Sequence, residues 1–455
     1  MKRWGRGILV IVVTLFSAFG VQAQMDNLTN LSVEWMRMPA RNAALDSADI
    51  VVYNPAGLVK LADGWHLNLG NQSLFRHPQH SFDLHFGKGE QTFEQEKSDP
   101  LLPNLYAAYK KGRWALYAGF YISGGGAVAD YPNGSLTTEL IGLQTLFSPA
   151  PDGFGVPPGT LLFDLYSAAT NQSLKASSYY LTFTVGGAYA FSDAFSLSLG
   201  LRYLNATNKT EAGLTLTDSP LSLPDLPFLF DTKDKASGLG AVIGLNWTAT
   251  PKLTLAAHYE SAIKLDFETT VDTDDFGIAV NGAKSRRDLP AVLYLGAGYQ
   301  VGPKLLLLAD FNYYFQKSAN WGATEVAGME MKWADFAGDC TAAGIGVAYQ
   351  AGKNWLLSAG AVYTHNMFKD KELYYTRLGE FEAPKNSNWN LGAGFARRLT
   401  DKLKLNVAVG ATFWQDATVK SLSAEAFQAV NPFLDPLVKI KARAYSVTVG
   451  LNLDL

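Results

Sequence analysis

Three histidines, His77, His80 and His85, crowd one stretch of the chain, and His258 stands far from them. Imidazoles so close in sequence could hold a transition metal. The stretch around them reads as a solvated loop, and no metal is expected there. Asp272 to Gly277, DTDDFG, resembles the start of a calcium loop but lacks the distal Glu at the required spacing. A weak divalent or lipopolysaccharide contact stays open at that loop. A lipid hydrolase would need a Ser/His pair, and nothing in the sequence orients a Ser beside His258. Cys340 is the only cysteine, so no intramolecular disulfide forms, and it reads as an inert wall residue. Neither an enzyme nor a cofactor is expected.

The remaining chemistry is apolar binding. Gly213 to Phe230, GLTLTDSPLSLPDLPFLF, falls between regular segments yet carries Leu221, Leu223, Leu226, Phe228, Leu229 and Phe230. The stretch 124–176 adds Leu143 and Phe147 at partly helical spacing. Exposed apolar patches mark binding surfaces, and burying a hydrocarbon chain contributes about 0.8 kcal/mol per CH₂. Two readings follow: a groove that captures a hydrophobic small molecule, or loops that pack on one another as a cap.

The elements that carry these residues alternate. In Phe195 to Leu204, FSLSLGLRYL, one face holds Phe195, Leu197, Leu199, Leu201 and Tyr203, and the other holds Ser196, Ser198, Gly200 and Arg202. Period two is the signature of a strand with one apolar face. About fourteen such segments follow one another, near 65–76, 104–110, 114–123, 177–191, 195–207, 237–249, 253–267, 288–301, 304–317, 338–350, 355–366, 386–398, 402–415 and 440–455. Their connections are short on one side, as at Ser192-Asp193 and Gly302-Pro303, and long on the other, as at 77–103, 124–176 and 208–236. One-sided loop length over so many strands is the layout of an outer-membrane β-barrel, and a bilayer demands its closure. Aromatics beside the short turns, Tyr189, Phe191, Trp247, Tyr299, Tyr349, Trp355 and Phe395, suit an interfacial girdle.

The leader agrees with that location. Lys2, Arg3 and Arg6 precede the apolar run Ile8 to Phe19, and small residues follow at Val21-Gln22-Ala23. This reads as a secretory signal over 1–23. Its removal moves the formal net charge from −3 to −6, and no basic excess points to nucleic acid. Residues 24–64 then precede the first strand. They include helix-compatible pieces around Asn30 to Met38 and Arg41 to Ala48. The inward positions of later strands are small: Gly244, Gly296, Gly298, Gly344, Gly346, Gly392 and Gly394 among them. Such positions leave room for a plug. The expectation is an all-β fold: a transmembrane antiparallel barrel of about fourteen strands over 65–455, with a partly helical hatch, 24–64, inside the lumen.

Pro39 to Leu58, PARNAALDSADIVVYNPAGL, resembles the N-terminal hatch of the FadL family, outer-membrane transporters of long-chain fatty acids and aromatic hydrocarbons. Asn54, Pro55 and Ala56 carry the strongest part of the match, and Gly57-Leu58 extend it. Pro55 fixes φ and holds Asn54 out of the helical region, and the Asn54 side chain can bond nearby backbone. An ordinary turn into a strand would use the same residues.

The resemblance implies passive uptake of a hydrophobic compound. Apolar extracellular loops would capture it, the hatch would gate it, and a kink in the third strand would open the wall sideways. Gly124, Gly125 and Gly126, in YISGGGAVADY, match the place of that kink, although a plain exit from strand to loop also suits them. Arg202 faces the lumen, where it would meet a ligand carboxylate or pair internally with Asp310 or Glu260. The implied setting is the outer membrane of a Gram-negative-type bacterium. The partners there are the hydrophobic substrate, membrane lipid and lipopolysaccharide around a monomer. A general porin or a surface interaction barrel is the alternative.

Overall fold

The computed structural model describes residues 32–455, apart from 86, 96–97, 152–153, 327–328, 379–380 and 384. The expected leader and residues 24–31 of the expected hatch lie outside the described residues. Among those described, fourteen strands make the wall: β1 (Gly64–Phe82), β2 (Asp99–Lys111), β3 (Trp114–Tyr131), β4 (Ala168–Ala190), β5 (Phe195–Thr217), β6 (Leu226–Thr250), β7 (Leu253–Glu260), β8 (Val292–Gly302), β9 (Leu305–Tyr314), β10 (Cys340–Gln350), β11 (Trp355–Asn366), β12 (Asn388–Arg398), β13 (Leu403–Trp414) and β14 (Leu437–Asp454). Each pairs antiparallel with its neighbours. The wall closes where β14 meets β1, from His66 opposite Asp454 to Ser81 opposite Lys439.

Alternation sets the two faces. On β5, Leu199, Leu201 and Tyr203 point outward, while Ser196, Ser198 and Arg202 are buried inside. On β14, Tyr445, Val447, Val449 and Leu451 point outward. Rings gather at the short-turn end: Trp65 lies 5.0 Å from Tyr109, Tyr189 5.1 Å from Phe191, and Trp355 5.3 Å from Phe395. A second set sits toward the long loops, with Tyr363 4.9 Å from Trp389 and Phe413 6.5 Å from Tyr445. Two aromatic belts around an apolar band are what two bilayer interfaces favour.

One expected loop, 208–236, is largely strand, and another, 124–176, is strand only at its two ends. β5 runs to Thr217 and β6 starts at Leu226, so 208–236 is a long hairpin with its turn at 218–225. β3 continues to Tyr131 and β4 starts at Ala168, with a helix, Leu136–Leu146, between them. The reason is a change of solvent. Above the upper belt the outward side chains are polar, as at Lys209 and Glu211, while Ala206, Ala212, Leu214 and Leu216 are buried on the inner side. The hydrophobic face has swapped sides, so a pattern tuned to lipid misses the strand.

The lumen holds residues 32–63. Helix α1 (Val33–Arg37) is capped by Ser32, whose side chain accepts from the Trp35 amide. Helix α2 (Ile50–Tyr53) leads into a 3₁₀ turn, Pro55–Lys60. Residues 41–48, expected as helix, are irregular because the Arg41 and Asn42 amides donate to the Asp310 carboxylate of β9 instead. Val33, Met36, Ala43, Ile50, Val51 and Leu58 pack against wall residues Tyr106, Tyr121, Leu308 and Ala408.

The wall makes space through missing side chains. A Cβ on Gly296 would lie 2.7 Å from the Ala43 nitrogen, and one on Gly344 would lie 2.7 Å from the Pro39 carbonyl oxygen. Gly392 and Gly410 sit closer still to Met36. Gly296→Val must therefore push the hatch off β8, at a cost of about 1–3 kcal/mol. The expected outcome is a barrel that still folds but passes more ions across a planar bilayer. A current equal to that of the unaltered protein would contradict this packing.

Candidate functional site

The hatch is pinned at two places. At its centre Arg41 donates to both oxygens of Asp49, at 3.1 and 2.6 Å, and lies 2.8 Å from Asp46. Ser32 Oγ donates to the same Asp49 at 2.9 Å. Arg41 and Asp49 are fully buried, so each depends on the other to offset its lost hydration. One oxygen of Asp310 receives the Arg41 and Asn42 amides at 2.6 and 3.0 Å. The Asn42 side-chain amide donates to the Leu295 carbonyl at 3.0 Å and to Asn312 Oδ1 at 2.8 Å.

The second pin is Asn54-Pro55-Ala56. Asn54 is extended, with φ −162°, and its Oδ1 accepts from the Ala56 amide at 3.3 Å while Pro55 starts the 3₁₀ turn. Its Nδ2 donates to the Leu245 carbonyl of β6 at 2.9 Å, and Ser196 of β5 donates to the Ala56 carbonyl at 2.7 Å. One short motif thus makes a turn and ties it to two strands.

Above the hatch lies a cavity of about 160 Å³. Trp35 and Pro39 of the hatch border it, with Gln72, Leu74 and Arg76 of β1, Leu102 of β2, Ile122 to Gly125 of β3, and Asp310 and Asn312 of β9. Beyond these it meets Val362, Thr364, Asn390, Thr412 and Trp414.

The wall is interrupted beside that cavity. β2 and β3 pair from Lys111 opposite Trp114 to Leu105 opposite Phe120, and no further among the described residues. β2 continues to pair with β1, and β3 with β4. The β3–β4 ladder shifts register twice, between Ile122 and Gly124 and between Gly125 and Ala127. Gly125 has φ +67°, and a Cβ there would run into the Ser178 carbonyl, so only glycine fits this bend. Pro100 and Pro103 stand on the facing stretch of β2, where each lacks the N–H that a ladder needs. At the upper edge Asp99 accepts from the Val128 amide at 2.9 Å, and Arg76 donates to Asp99 at 3.2 Å and to the Val128 carbonyl at 3.1 Å. A window between β2 and β3 is thus framed by the last ladder pair below and by Arg76, Asp99 and Val128 above.

Residues 160–453 match the family model for outer membrane protein transport protein (OMPP1/FadL/TodX). The chain belongs to this family. It is an outer-membrane β-barrel, and its family is one of transport proteins rather than enzymes. A crystal structure of a Pseudomonas aeruginosa FadL homologue superposes with TM-score 0.62 at 13% identity, covering 93% of this chain and 98% of that one. A TodX mutant described as a monoaromatic hydrocarbon channel gives 0.61 at 15%, over 93% and 99%. The P. putida toluene transporter TodX gives 0.58 at 15%, over 91% and 97%. At these identities the likeness speaks for the fold alone. No curated protein matches the chain in sequence.

Within this FadL/TodX-type barrel, Arg202 is already engaged. Its Nη1 lies 2.6 Å from Glu260, its Nη2 donates to the Ser261 carbonyl at 3.2 Å, and Tyr294 donates to the same Glu260 oxygen at 3.2 Å. Arg202 is not among the residues bordering the cavity. Glu260 is thus its partner, and Asp310, the other expected partner, holds the hatch.

The eight loop residues do not gather into one groove. Phe228 and Phe230 are buried in two separate loop cores, with Leu223 and Leu226 packed beside the first. Leu143 of helix α3 (Leu136–Leu146) and Phe147, its C-cap, pack against a third, formed with Trp321, Trp333 and Phe336. Only Leu221 and Leu229 are exposed. Sequence reasoning missed the hatch-holding role of Asp310, and it missed Pro100 and Pro103. The prolines left a signal, since DPLLPN places two non-donors in a strand-like segment. Asp310 left none, because its role depends on a hatch segment far away in the chain.

His80 proves to be a structural acceptor. It is buried between Phe82, Phe93 and Tyr131, and its Nε2 accepts the Leu136 amide at the start of α3 at 3.0 Å. It lies on β1 beyond the upper belt. Burial pushes the His80 imidazole below its usual range, with Glu382 opposing the shift. A group held neutral in the fold contributes stability above the unfolded value of about 6.5 and loses it as pH falls below. Acidification to pH 5 should therefore loosen the loop cap by about 1 kcal/mol, one hydrogen bond's worth. The protection of the α3 amides, corrected for the intrinsic pH dependence of exchange, should fall about fivefold and recover at pH 7.5. In His80→Gln this acid-induced loss of protection should vanish, and its persistence would contradict this role.

Proposed function

We propose that this chain carries small hydrophobic compounds passively across the outer leaflet. Exposed loop residues such as Leu221 and Leu229 catch the compound. It descends to the cavity above the hatch and leaves sideways into the membrane between β2 and β3. The hatch closes the axial route, and gating belongs to its Trp35–Pro39 end, which borders the cavity. The barrel works as a monomer among membrane lipid and lipopolysaccharide, with no catalytic step.

One observation carries this reading: a single cavity is bordered by the hatch and by the glycines of the window. Hydrocarbon provides no water to pair an open ladder, so a break at membrane depth has a reason only where it lines a passage. A cavity of comparable volume holds benzene, which suits a one-ring compound or one end of a long chain. Solved relatives described as monoaromatic hydrocarbon channels and toluene transporters support the same substrate class. A general porin needs an open lumen, and here the hatch occupies it.

The window can be sutured. Replacing Pro100 and Pro103 with Val and deleting Gly125 restores donors on β2 and removes one bulge from β3. Uptake of labelled toluene or oleate should be measured in cells lacking their own transporter. The expected result is a fall of at least about tenfold, equivalent to ~1.4 kcal/mol on the barrier, with normal surface expression. Uptake unchanged in the sutured variant would contradict lateral exit.

A further inference from the structure

We propose that the outer wall of β14, with β1 and β13 beside it, holds one lipopolysaccharide molecule by a phosphate of its lipid A. The inference rests on the outer-membrane location of the barrel and not on what the barrel carries. Its basis is a column of cations directly above the upper aromatic belt.

Along β14 the outward positions read Lys439, Lys441, Arg443 and Tyr445, each two residues from the next, and all four are exposed. Tyr445 belongs to the belt, with its ring 6.5 Å from that of Phe413 on β13. Below it Val447, Val449 and Leu451 continue the lipid-facing wall. Two residues of a strand tilted by ~40° rise about 5 Å along the membrane normal. Arg443 and Lys441 therefore stand within about 10 Å above the Tyr445 ring. Long cationic side chains at this depth lay their stems on apolar surface and keep their charge at the interface. A lipid with acyl chains below and a phosphate above meets both parts of this wall.

The column is neutralised only at its top. Lys439 lies 2.6 Å from Glu90, and Lys441 lies 3.9 Å from Asp416, at the edge of ion-pair range. Arg443, the lowest cation, makes no ion pair among the described residues. Its cross-strand neighbours are Phe413 on β13 and His77 on β1. His77 lies 3.2 Å from Glu94, which stands one row higher, opposite Gln79 and level with Lys441. Arg443 also borders the lumen cavity, while Ala442 and Ala444 hold the inward positions on either side of it. The bare cation is thus the one nearest the acyl chains, and every carboxylate named here lies at the level of Lys441 or above. A guanidinium fork takes two phosphate oxygens at once, and Lys441 adds a second positive charge. The lysines of the neighbouring wall differ: Lys175 and Lys209 share Glu211, at 3.4 and 2.8 Å, and so carry their own counter-ion. The column stands at the end of the barrel with the long loops, which face outside, so the lipid it meets is that of the outer leaflet.

Native mass spectrometry of the full chain in detergent, with purified bis-phosphorylated lipid A added, tests this site. One lipid A should stay bound, at least about tenfold more tightly than the same lipid stripped of its phosphates. Phosphatidylglycerol should bind more weakly than lipid A. Lys441→Gln with Arg443→Gln should weaken lipid A at least about tenfold, since each cation near a charged lipid surface contributes about fivefold. Lys175→Gln with Lys209→Gln removes the same charge and should leave lipid A binding unchanged. Equal retention of the stripped lipid or of phosphatidylglycerol by the unaltered chain would overturn the inference. So would lipid A binding that survives in the Lys441 and Arg443 variant, or that falls equally in both variants. Each of these results leaves the transport reading in place.

Discussion

Hydrocarbon offers no hydrogen bonds, and this constraint governs the rest of the structure. A chain that crosses it as strands must close its ladder on itself, which β14 and β1 accomplish along nearly their whole length. Given that rule, any interruption must be compensated or lined. The interruption between β2 and β3 is both. Prolines remove donors on one side, bulges at Ser123 and Gly126 redirect the other, and Arg76 with Asp99 re-satisfies the backbone at the upper edge. The cavity lies directly behind it.

Closing a wide ladder creates a second problem, which is what fills the middle. The solution here is complementary. Inward glycines on β8, β10, β12 and β13 let the hatch backbone approach, and Asp310, Ser196 and the Leu245 carbonyl receive or supply its polar groups. Apolar contact alone would let the plug slide. The buried Arg41–Asp49 pair fixes its internal shape, because neither charge tolerates loss of the other. The floor is therefore pinned both within itself and to the wall, which supports the proposed sideways route.

Much of this was legible in the sequence, for a physical reason. Strands facing lipid on one side and a packed lumen on the other must alternate, so the fourteen wall segments could be read directly. The inward glycines announced a plug because small residues on a lumen face leave volume to fill. Asn54-Pro55 marked a turn in which the Asn54 side chain bonds nearby backbone, while its partners on the wall were not legible. Legibility failed where the solvent changed or partners were distant. The hairpin of β5 and β6 kept its period but swapped its apolar face above the membrane. Residues 41–48 lost helical form to a carboxylate on β9 that no local pattern reveals. The loop leucines and phenylalanines were recognisable as apolar, but their division among three packed cores depends on the tertiary fold.

The central claim is that the hatch body stays seated while the compound leaves through the wall. A Cβ on Gly298 would lie 3.6 Å from that of Ala43, within the span of a disulfide. In a Cys340→Ser background, Ala43→Cys with Gly298→Cys would lock the hatch to β8. Uptake of a labelled hydrophobic compound should then be compared in the oxidised and reduced states of this one variant. The account expects equal uptake in both. Uptake abolished by oxidation and restored by reduction would mean that the hatch must leave its seat, and would contradict the lateral route.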